Sequence, residues 1–186
     1  MQDATTRVHG PDINVTLTTA RLRLEPLDAR HAAPLFDGLR DPAIYEWISL
    51  QPPVDLAHQQ ARWARVAQRP LVGVDVLDFG WAVQRLADGA WIGKMDAEVT
   101  ALGVATNVGY LFIPAYWRRG YATEAVAALG DHLRRHGVVE QRATVTVGND
   151  ASCRVLERAG FVRARVLAGN DMLRGVRVDD IEYIRR

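Results

Sequence analysis

The chain has 186 residues, of which 48% are hydrophobic and 24% charged, and its 23 basic and 22 acidic residues leave a formal net charge of +1. That length suits one domain with a sizeable core, and the composition excludes wholesale disorder. The near balance of charge argues against a strongly basic nucleic-acid-binding surface. The single cysteine, Cys153, excludes an internal disulfide and a cysteine metal site.

Targeting and metal signals are missing from the sequence pattern. No run of residues approaches the roughly 20 apolar positions of a transmembrane helix, and Met1–Pro11 lacks the apolar centre of a secretory signal. The histidines of the predicted helices have no partner at metal-ligand spacing, so no metal is expected. We therefore expect a soluble cytoplasmic protein with a flexible tail over residues 1–14 and one domain over residues 15–186.

The first half of the chain predicts a strand followed by two helices. Thr16–Pro26 alternates apolar and polar residues towards its end, which is typical of a half-buried strand. Asp28 can cap a helix, and Asp55 can cap a second one that runs to about Gln68. The first helix has a single apolar face formed by Ala32, Leu35, Phe36 and Leu39.

Strand-like runs follow, separated by turn residues. They are Val72–Val76, Phe79–Gln84, Trp91–Val99 and Val108–Ile113. Gly103 and Thr106–Asn107 mark a turn before the last of these runs. The nearly continuous apolar sequence VGYLFI of that last run is typical of a strand covered on both faces.

The second half alternates helices and strands. Helices are predicted over Thr123–His136 and Asn149–Ala159, on either side of a strand over Ala143–Val147. A final strand pair, Phe161–Leu167 and Val176–Ile184, surrounds a loop from Gly169 to Gly175. No linker or repeat interrupts this order, which predicts a single α/β (α+β) domain.

The turn after the VGYLFI strand has the features of an anion site. A helix N-terminus offers free backbone N–H groups and a partial positive charge. Gly120 and the small Ala122 allow an anion to approach that backbone, and Arg118 and Arg119 add charge. The combination suits a phosphate or pyrophosphate, although an ordinary turn that needs Gly120 only for its geometry explains the same residues.

A second stretch, at the start of the helix after the ATVTV strand, points to the same place. Asn149 and Ser152 are residues that commonly cap a helix, and capping alone accounts for them. If ATVTV lies beside VGYLFI, however, both residues come to the strand ends near Gly120, where open α/β sheets bind ligands.

Together these stretches resemble the GNAT N-acetyltransferase superfamily. The opening LTTARLRLEPLDARHAAPLFDGLRDP is similar to its ribosomal-protein N-terminal acetyltransferase branch, the RimJ/RimL-like proteins, and the matching motifs span Leu17–Tyr183 in the family's order. The resemblance implies a single GNAT-like domain. Its mixed, mostly antiparallel central sheet would be flanked by helices and splayed at the fourth strand to admit acetyl-CoA.

The resemblance also assigns residues to acetyl-CoA. The family's loop Gln/Arg-x-x-Gly-x-Gly/Ala corresponds to Trp117–Ala122, with Trp117 in place of Gln or Arg. Phe112 and Ile113 would pair with the pantetheine arm, and Asn149 would bind near the reactive end. The residues whose backbone would hold the pyrophosphate are Arg118, Arg119, Gly120, Tyr121, Ala122 and Thr123.

The catalytic residues follow less directly from the resemblance. Many members carry a tyrosine acid where this chain has Leu156, so Ser152 is the substitute, either as an acid or only as a contact of the thiol sulfur. A backbone N–H around Tyr110–Phe112 would stabilise the oxyanion. The branch's glutamate corresponds to Asn107, which leaves Glu98 or Asp96, or water alone, to accept the amine proton.

The acceptor would be a primary amine, either a protein N-terminus or a small molecule. Tyr45, Trp47 and Trp63 are candidates for its cleft, since the family's cleft is walled by the first two helices. No nucleic-acid or membrane partner is expected, and a homodimer is in keeping with the branch.

Two alternatives remain open. The absent tyrosine and Asn107 allow a non-catalytic acyl-CoA-binding or regulatory module. A nucleotide-phosphate binder unrelated to CoA fits less well, because the P-loop lysine and the G-x-G-x-x-G spacing are missing.

Overall fold

The computed structural model describes residues 13–68 and 76–186. The strands in those ranges are β1 (Leu17–Thr18), β2 (Leu22–Pro26), β3 (Val76–Arg85), β4 (Trp91–Thr100), β5 (Val104–Phe112), β6 (Glu140–Thr146), β7 (Val162–Leu173) and β8 (Val176–Arg185). The α-helices are α1 (Ala32–Phe36), α2 (Leu56–Ala67), α3 (Tyr121–Arg135) and α4 (Asp150–Arg158). None of these helices is long and apolar enough to cross a membrane.

The strands form one eight-stranded sheet in the order β1-β2-β3-β4-β5-β6-β8-β7. Neighbouring strands run antiparallel except β5 and β6, which run parallel. Tight turns join β3 to β4, β4 to β5 and β7 to β8, which run antiparallel, while α3 makes the long crossover that the parallel pair needs. The predicted α/β domain with a mixed, mostly antiparallel sheet is confirmed.

The parallel pair is joined at one end only. Val104 pairs with Glu140 and Ala105 with Gln141, and no further ladder joins β5 to β6 in the described structure. The joined end is fastened by the Val139 N–H, which donates to the Gly103 carbonyl at 2.8 Å. From there to Phe112 and Thr146 the strands diverge, so the splay expected at the fourth strand of the family lies at β5.

Helices cover both faces of the sheet and define two apolar cores. The larger core packs α3 and α4 against the central strands and includes Leu129, Leu156 and Met95, all fully buried. The smaller core packs α1 and α2 on the opposite face, where Leu35 and Trp63 meet Ala82 of β3. The splay therefore lies between a helix pair on each face.

The predicted first helix is interrupted. Its residues form a 3-10 turn at Ala29–His31, the short helix α1 and a second 3-10 turn at Gly38–Arg40. The second turn begins at Gly38, where the Ile113 side chain occupies the space that a Cβ would take. The predicted strand over Thr16–Pro26 is likewise divided into β1 and β2 by a turn that the Thr19 side chain stabilises.

Two predicted turns were wrong. Thr106–Asn107 lies inside β5, where Asn107 pairs with Glu98 beside a bulge that absorbs the irregular pattern. The predicted loop from Gly169 to Gly175 belongs largely to β7, which meets β8 at a tight turn of Arg174 (φ 50°) and Gly175 (φ 80°). A two-residue turn with positive φ angles at both positions matches the twist of the strands that it joins. Arginine is an unusual residue in such a turn, so the sequence did not indicate a hairpin here.

Two of the predicted segments lie mostly outside the described residues. The strand-like run Val72–Val76 is outside them except for Val76, which begins β3. The predicted tail over residues 1–14 is outside them except for its last two residues. Of these, Ile13 is fully buried in the larger core, and its carbonyl accepts a hydrogen bond of 2.9 Å from His132 Nε2.

Candidate active site at the splay

The chain between β5 and α3 forms a cradle of free backbone N–H groups. Arg118 (φ 59°) and Gly120 (φ 79°) both adopt left-handed conformations, which turn the chain sharply into the helix. Gly120 occupies the N-cap position, and no side chain caps α3. The N–H groups of its first turn therefore remain available, and the helix dipole favours an anion there.

The strained turn is held at both ends. A left-handed conformation at a non-glycine residue such as Arg118 costs about 1–3 kcal/mol and persists only where its surroundings enforce it. On one side, Trp117 Nε1 donates to the Phe112 carbonyl at 2.6 Å. On the other, Arg21 Nη1 donates to the Arg119 carbonyl at 2.9 Å, and its guanidinium lies 4.7 Å from the centre of the Tyr121 ring.

Glu124, in the first turn of α3, ties the β1–β2 turn to this cradle. Its carboxylate accepts hydrogen bonds from Thr19 Oγ1 at 2.6 Å and from the Arg21 backbone N–H at 2.9 Å, and it forms an ion pair with Arg21 Nε at 2.6 Å. Burial alone would raise the pKa of Glu124, but these hydrogen bonds outweigh burial and hold the pKa below its usual range. Sequence reasoning missed both Arg21 and Glu124, because their contact joins residues far apart in the chain.

The sequence-predicted cofactor residues on β5 differ in where their side chains point. Phe112 is buried in the larger core, while Ile113 packs on the opposite face against Gly38. The Ile113 N–H donates to the Ile92 carbonyl of β4. Backbone groups alternate along a strand, so the N–H groups of Phe112 and Tyr110 point away from β4 and towards the splay.

Asn149 and Ser152 lie at the first turn of α4, across the splay from β5. Asn149 Oδ1 accepts the Ser152 N–H at 3.1 Å, which confirms Asn149 as the N-cap. In the described part of the chain its amide Nδ2 makes no hydrogen bond and remains free to donate to a ligand.

Ser152 is hydrogen-bonded to a tyrosine that sequence reasoning considered only for its backbone. Tyr110 Oη lies 2.7 Å from Ser152 Oγ and 3.3 Å from the Ser152 carbonyl. Burial raises the pKa of Tyr110 to about 12, so the phenol stays protonated at any physiological pH, although its hydrogen bond with Ser152 acts in the opposite direction. Leu156, which stands where many family members have a tyrosine, is fully buried. The phenol beside Ser152 comes instead from Tyr110 on β5.

The two carboxylates considered as bases lie on the face of β4 that is opposite Tyr110. Asp96 is paired with Gly109, next to Tyr110, and its carboxylate forms an ion pair with Lys94. Glu98 is exposed and paired with Asn107, three residues from Tyr110. At about 3.3 Å per residue, Glu98 lies about 10 Å further along the sheet.

Two of the three aromatic residues predicted for the acceptor cleft line a pocket between the first helices and the sheet. Tyr45 and Trp63 border it together with Leu111 of β5. Trp47 does not line that pocket. Its ring packs against Gly148, where a Cβ would lie 2.9 Å away, and its carbonyl accepts the Thr146 hydroxyl at 3.1 Å.

Comparison with known proteins identifies the family. A family model described as an acetyltransferase (GNAT) domain matches residues 21–162, which include the cradle and the first turn of α4. The chain belongs to the GNAT acetyltransferase family. One curated relative, the uncharacterised protein YkkB of Bacillus subtilis (strain 168), is 29% identical over 149 residues, which are 78% of this chain and 84% of YkkB.

Solved structures agree with this GNAT fold. RimL, the ribosomal L7/L12 alpha-N-protein acetyltransferase, solved in complex with coenzyme A, superposes with a TM-score of 0.80 at 18% identity over 91% of this chain and 96% of its own. The ribosomal-protein-S5-alanine acetyltransferase of Vibrio fischeri superposes with a TM-score of 0.79 at 16% identity over 92% and 96% of the two chains. At 18% and 16% identity, these two structures show that the chain shares their fold.

Proposed function

We propose that this GNAT protein transfers the acetyl group of acetyl-CoA to a primary amine, either of a protein N-terminus or of a small molecule. One observation carries the proposal. The ladder between β5 and β6 ends at Ala105 and Gln141, and the gap beyond it opens towards the uncapped N-terminus of α3. A ligand with a diphosphate at one end and an extended arm fits this combination of anion cradle and open strand.

The residues around the gap fit acetyl-CoA part by part. The first-turn N–H groups of α3 and the side chains of Arg118 and Arg119 would bind the pyrophosphate, because Gly120 has no Cβ to obstruct its approach. The free N–H groups of Tyr110 and Phe112 would pair with the arm, and Asn149 would donate to it near the sulfur. RimL, with the same fold, has been solved with coenzyme A.

When bound, acetyl-CoA supplies the thioester that the acceptor amine attacks. In the transfer, the new C–N bond forms as the C–S bond breaks, the amine loses a proton and the sulfur gains one. The Tyr110 or Phe112 N–H would donate to the carbonyl oxygen as negative charge develops on it. These donors are fixed by the strand, so they need no rearrangement during the reaction.

Ser152 is the proposed proton donor to the sulfur. If Tyr110 donates its hydroxyl hydrogen to Ser152 Oγ, the Ser152 hydroxyl is left to donate in its turn. The raised pKa of Tyr110 keeps that arrangement intact, and the N-terminal end of α4 stabilises negative charge on the sulfur. For the amine proton, Glu98 remains the proposed acceptor, and its distance along the sheet favours transfer through water.

An acetyl-transfer assay tests the proposal. Purified protein is incubated with acetyl-CoA and a panel of amino-terminal peptides and small amines, while free thiol and acetylated product are followed together. We expect thiol and N-acetyl product in equal amounts with at least one class of acceptor. Binding of acetyl-CoA without product from any acceptor would favour a non-catalytic acyl-CoA-binding module, which the residues at Asn107 and Leu156 otherwise allow.

A further inference from the structure

The pocket bordered by Tyr45 and Trp63 adjoins the strand that would hold the thioester. Leu111 lines the pocket, and Lys94, which also lines it, is paired with Leu111 in the β4–β5 ladder. Leu111 stands between Tyr110 and Phe112, whose N–H groups face the splay. A group seated in this pocket would therefore lie beside the strand whose N–H groups would hold the thioester.

Gln59 contributes a buried amide to the pocket. Its side chain lines the pocket, and the residue is only 5% exposed. The buried side-chain atoms that lack a hydrogen-bond partner within residues 13–68 and 76–186 belong to Gln141 and Asp180, and the Gln59 amide is not one of them. Since Gln59 lines the pocket, its amide can donate a hydrogen bond to an anionic group bound there.

Positive charge outweighs negative charge around the same pocket. Arg62 follows Gln59 by three residues on α2, which places both side chains on one side of the helix. Among the described residues Arg62 has no acidic partner, whereas the second cation, Lys94, is paired with Asp96. The described lining contains no carboxylate. One guanidinium charge is therefore left uncompensated, in a form that recognises carboxylates in a bidentate manner.

We propose that the acceptor is an amine that carries an anionic group close to the amino group, and that Arg62 and Gln59 bind this group. The inference rests on the proposed acetyl transfer and narrows its substrate class. The anionic group is the carboxylate of a small amino acid or an acidic side chain near a peptide N-terminus. A polycationic acceptor is excluded by the same charge.

Matched acceptors test this proposal. Acetylation rates are measured for an amino acid against its amide, β-alanine against β-alaninamide, and for Ser-Glu-Ala-amide against Ser-Lys-Ala-amide. The anionic member of a pair should have a kcat/KM about 10- to 100-fold higher, as expected of a charge-assisted hydrogen bond. The first pair reports on a small carboxylate and the second on an acidic peptide.

Variants of α2 connect the preference to the pocket. Arg62→Glu should reverse the preference, and Arg62→Lys should retain part of it. Arg65→Glu is the matched control, because Arg65 is exposed on the same helix and does not line the pocket. Gln59→Leu should lower kcat/KM for the anionic acceptor, because leucine cannot donate a hydrogen bond to the anionic group.

Acetyl-CoA binding, measured by thermal shift in each variant, separates the two proposals. If acetyl-CoA stabilises the protein but no anionic acceptor reacts faster than its partner, or Arg62→Glu leaves the ratio unchanged, the acceptor inference is overturned. If acetyl-CoA stabilises none of the proteins, the proposed acetyl transfer itself fails.

Discussion

At the scale of single residues, the proposed chemistry depends on the contact between Ser152 and Tyr110. The Ser152 Oγ lies 2.7 Å from the Tyr110 hydroxyl, which comes from the neighbouring strand β5. The motif pattern pointed to Ser152 through the family resemblance. It did not point to the Tyr110 side chain, because the apolar run VGYLFI explains a tyrosine as a core residue equally well.

Ser152→Ala should reduce kcat on the order of 100-fold, at the lower end of what general acid catalysis contributes, with little change in the KM for acetyl-CoA. Tyr110→Phe should reduce kcat less, since Ser152 remains as donor but loses its orienting partner. Steady-state kinetics of both variants with one acceptor provide the measurement. Wild-type kcat in Ser152→Ala would eliminate Ser152 as the acid.

The raised pKa of Tyr110 gives the same pair a pH signature. A tyrosine ionises near pH 10 in the unfolded chain, but Tyr110 does so near 12 in the folded protein, so it stays protonated across the assay range. We expect wild type and Tyr110→Phe to have the same alkaline limb in kcat below about pH 10. A limb present only in wild type would show that Tyr110 ionises within that range, contrary to the burial seen here.

At the scale of secondary-structure elements, the sequence predicted most strands and helices but not the contacts between them. Alternation and helical spacing identified β4, α3 and α4 to within a few residues, because each buries one periodic face. The breaks at Gly38 and in the β1–β2 turn were missed. Both places contact distant parts of the chain, since the Ile113 side chain fills the space beside Gly38 and the Glu124 carboxylate accepts the Thr19 hydroxyl.

The Glu124 contact predicts a coupling between the β1–β2 turn and cofactor binding. Glu124→Gln should lower the free energy of unfolding by about 1–2 kcal/mol, as expected for hydrogen bonds to a partly exposed charge, and should raise the KM for acetyl-CoA because Arg21 no longer holds the cradle. The matched control is Asp131→Asn. Asp131 lies two turns after Glu124 on α3, and this change breaks its ion pair with Arg185. It should lower stability without altering that KM.

The lowered pKa of Glu124 fixes the sign of the associated pH dependence. Its folded pKa lies below its usual value of 4.5, so the unfolded chain binds more protons as the pH falls. The contribution of Glu124 is complete above that value and is lost as the pH drops through the folded pKa. Urea denaturation between neutral pH and about pH 3 should show a shallower loss of stability in Glu124→Gln than in wild type.

At the scale of the whole molecule, the proposed function depends on a sheet that opens between β5 and β6. The family resemblance anticipated the splay, and the ladder that stops at Ala105 and Gln141 shows where it begins. Composition and spacing alone could not locate it, because an apolar strand looks the same whether its partner pairs with it fully or diverges from it. The pocket bordered by Tyr45 and Trp63 was foreseen only as a wall of helices, because its lining residues come from distant parts of the chain.

The most direct test of the central claim is a thermal melt of wild type, Gly120→Asp and Gly175→Asp with and without acetyl-CoA. Gly120 (φ 79°) and Gly175 (φ 80°) have nearly the same backbone conformation, but only Gly120 lies in the cradle. A Cβ at Gly175 meets nothing within 4 Å, and one at Gly120 would lie 3.3 Å from the end of the Arg21 side chain. Since the backbone strain of the two substitutions is similar, both variants should fold.

Acetyl-CoA at 100 times its Kd stabilises a fold by about 2.7 kcal/mol, a shift of roughly 5–10 °C for a domain of this size. The account predicts that shift in wild type and in Gly175→Asp and its loss in Gly120→Asp, where the added carboxylate repels the pyrophosphate. An undiminished shift in Gly120→Asp would contradict the assignment of acetyl-CoA to this cradle.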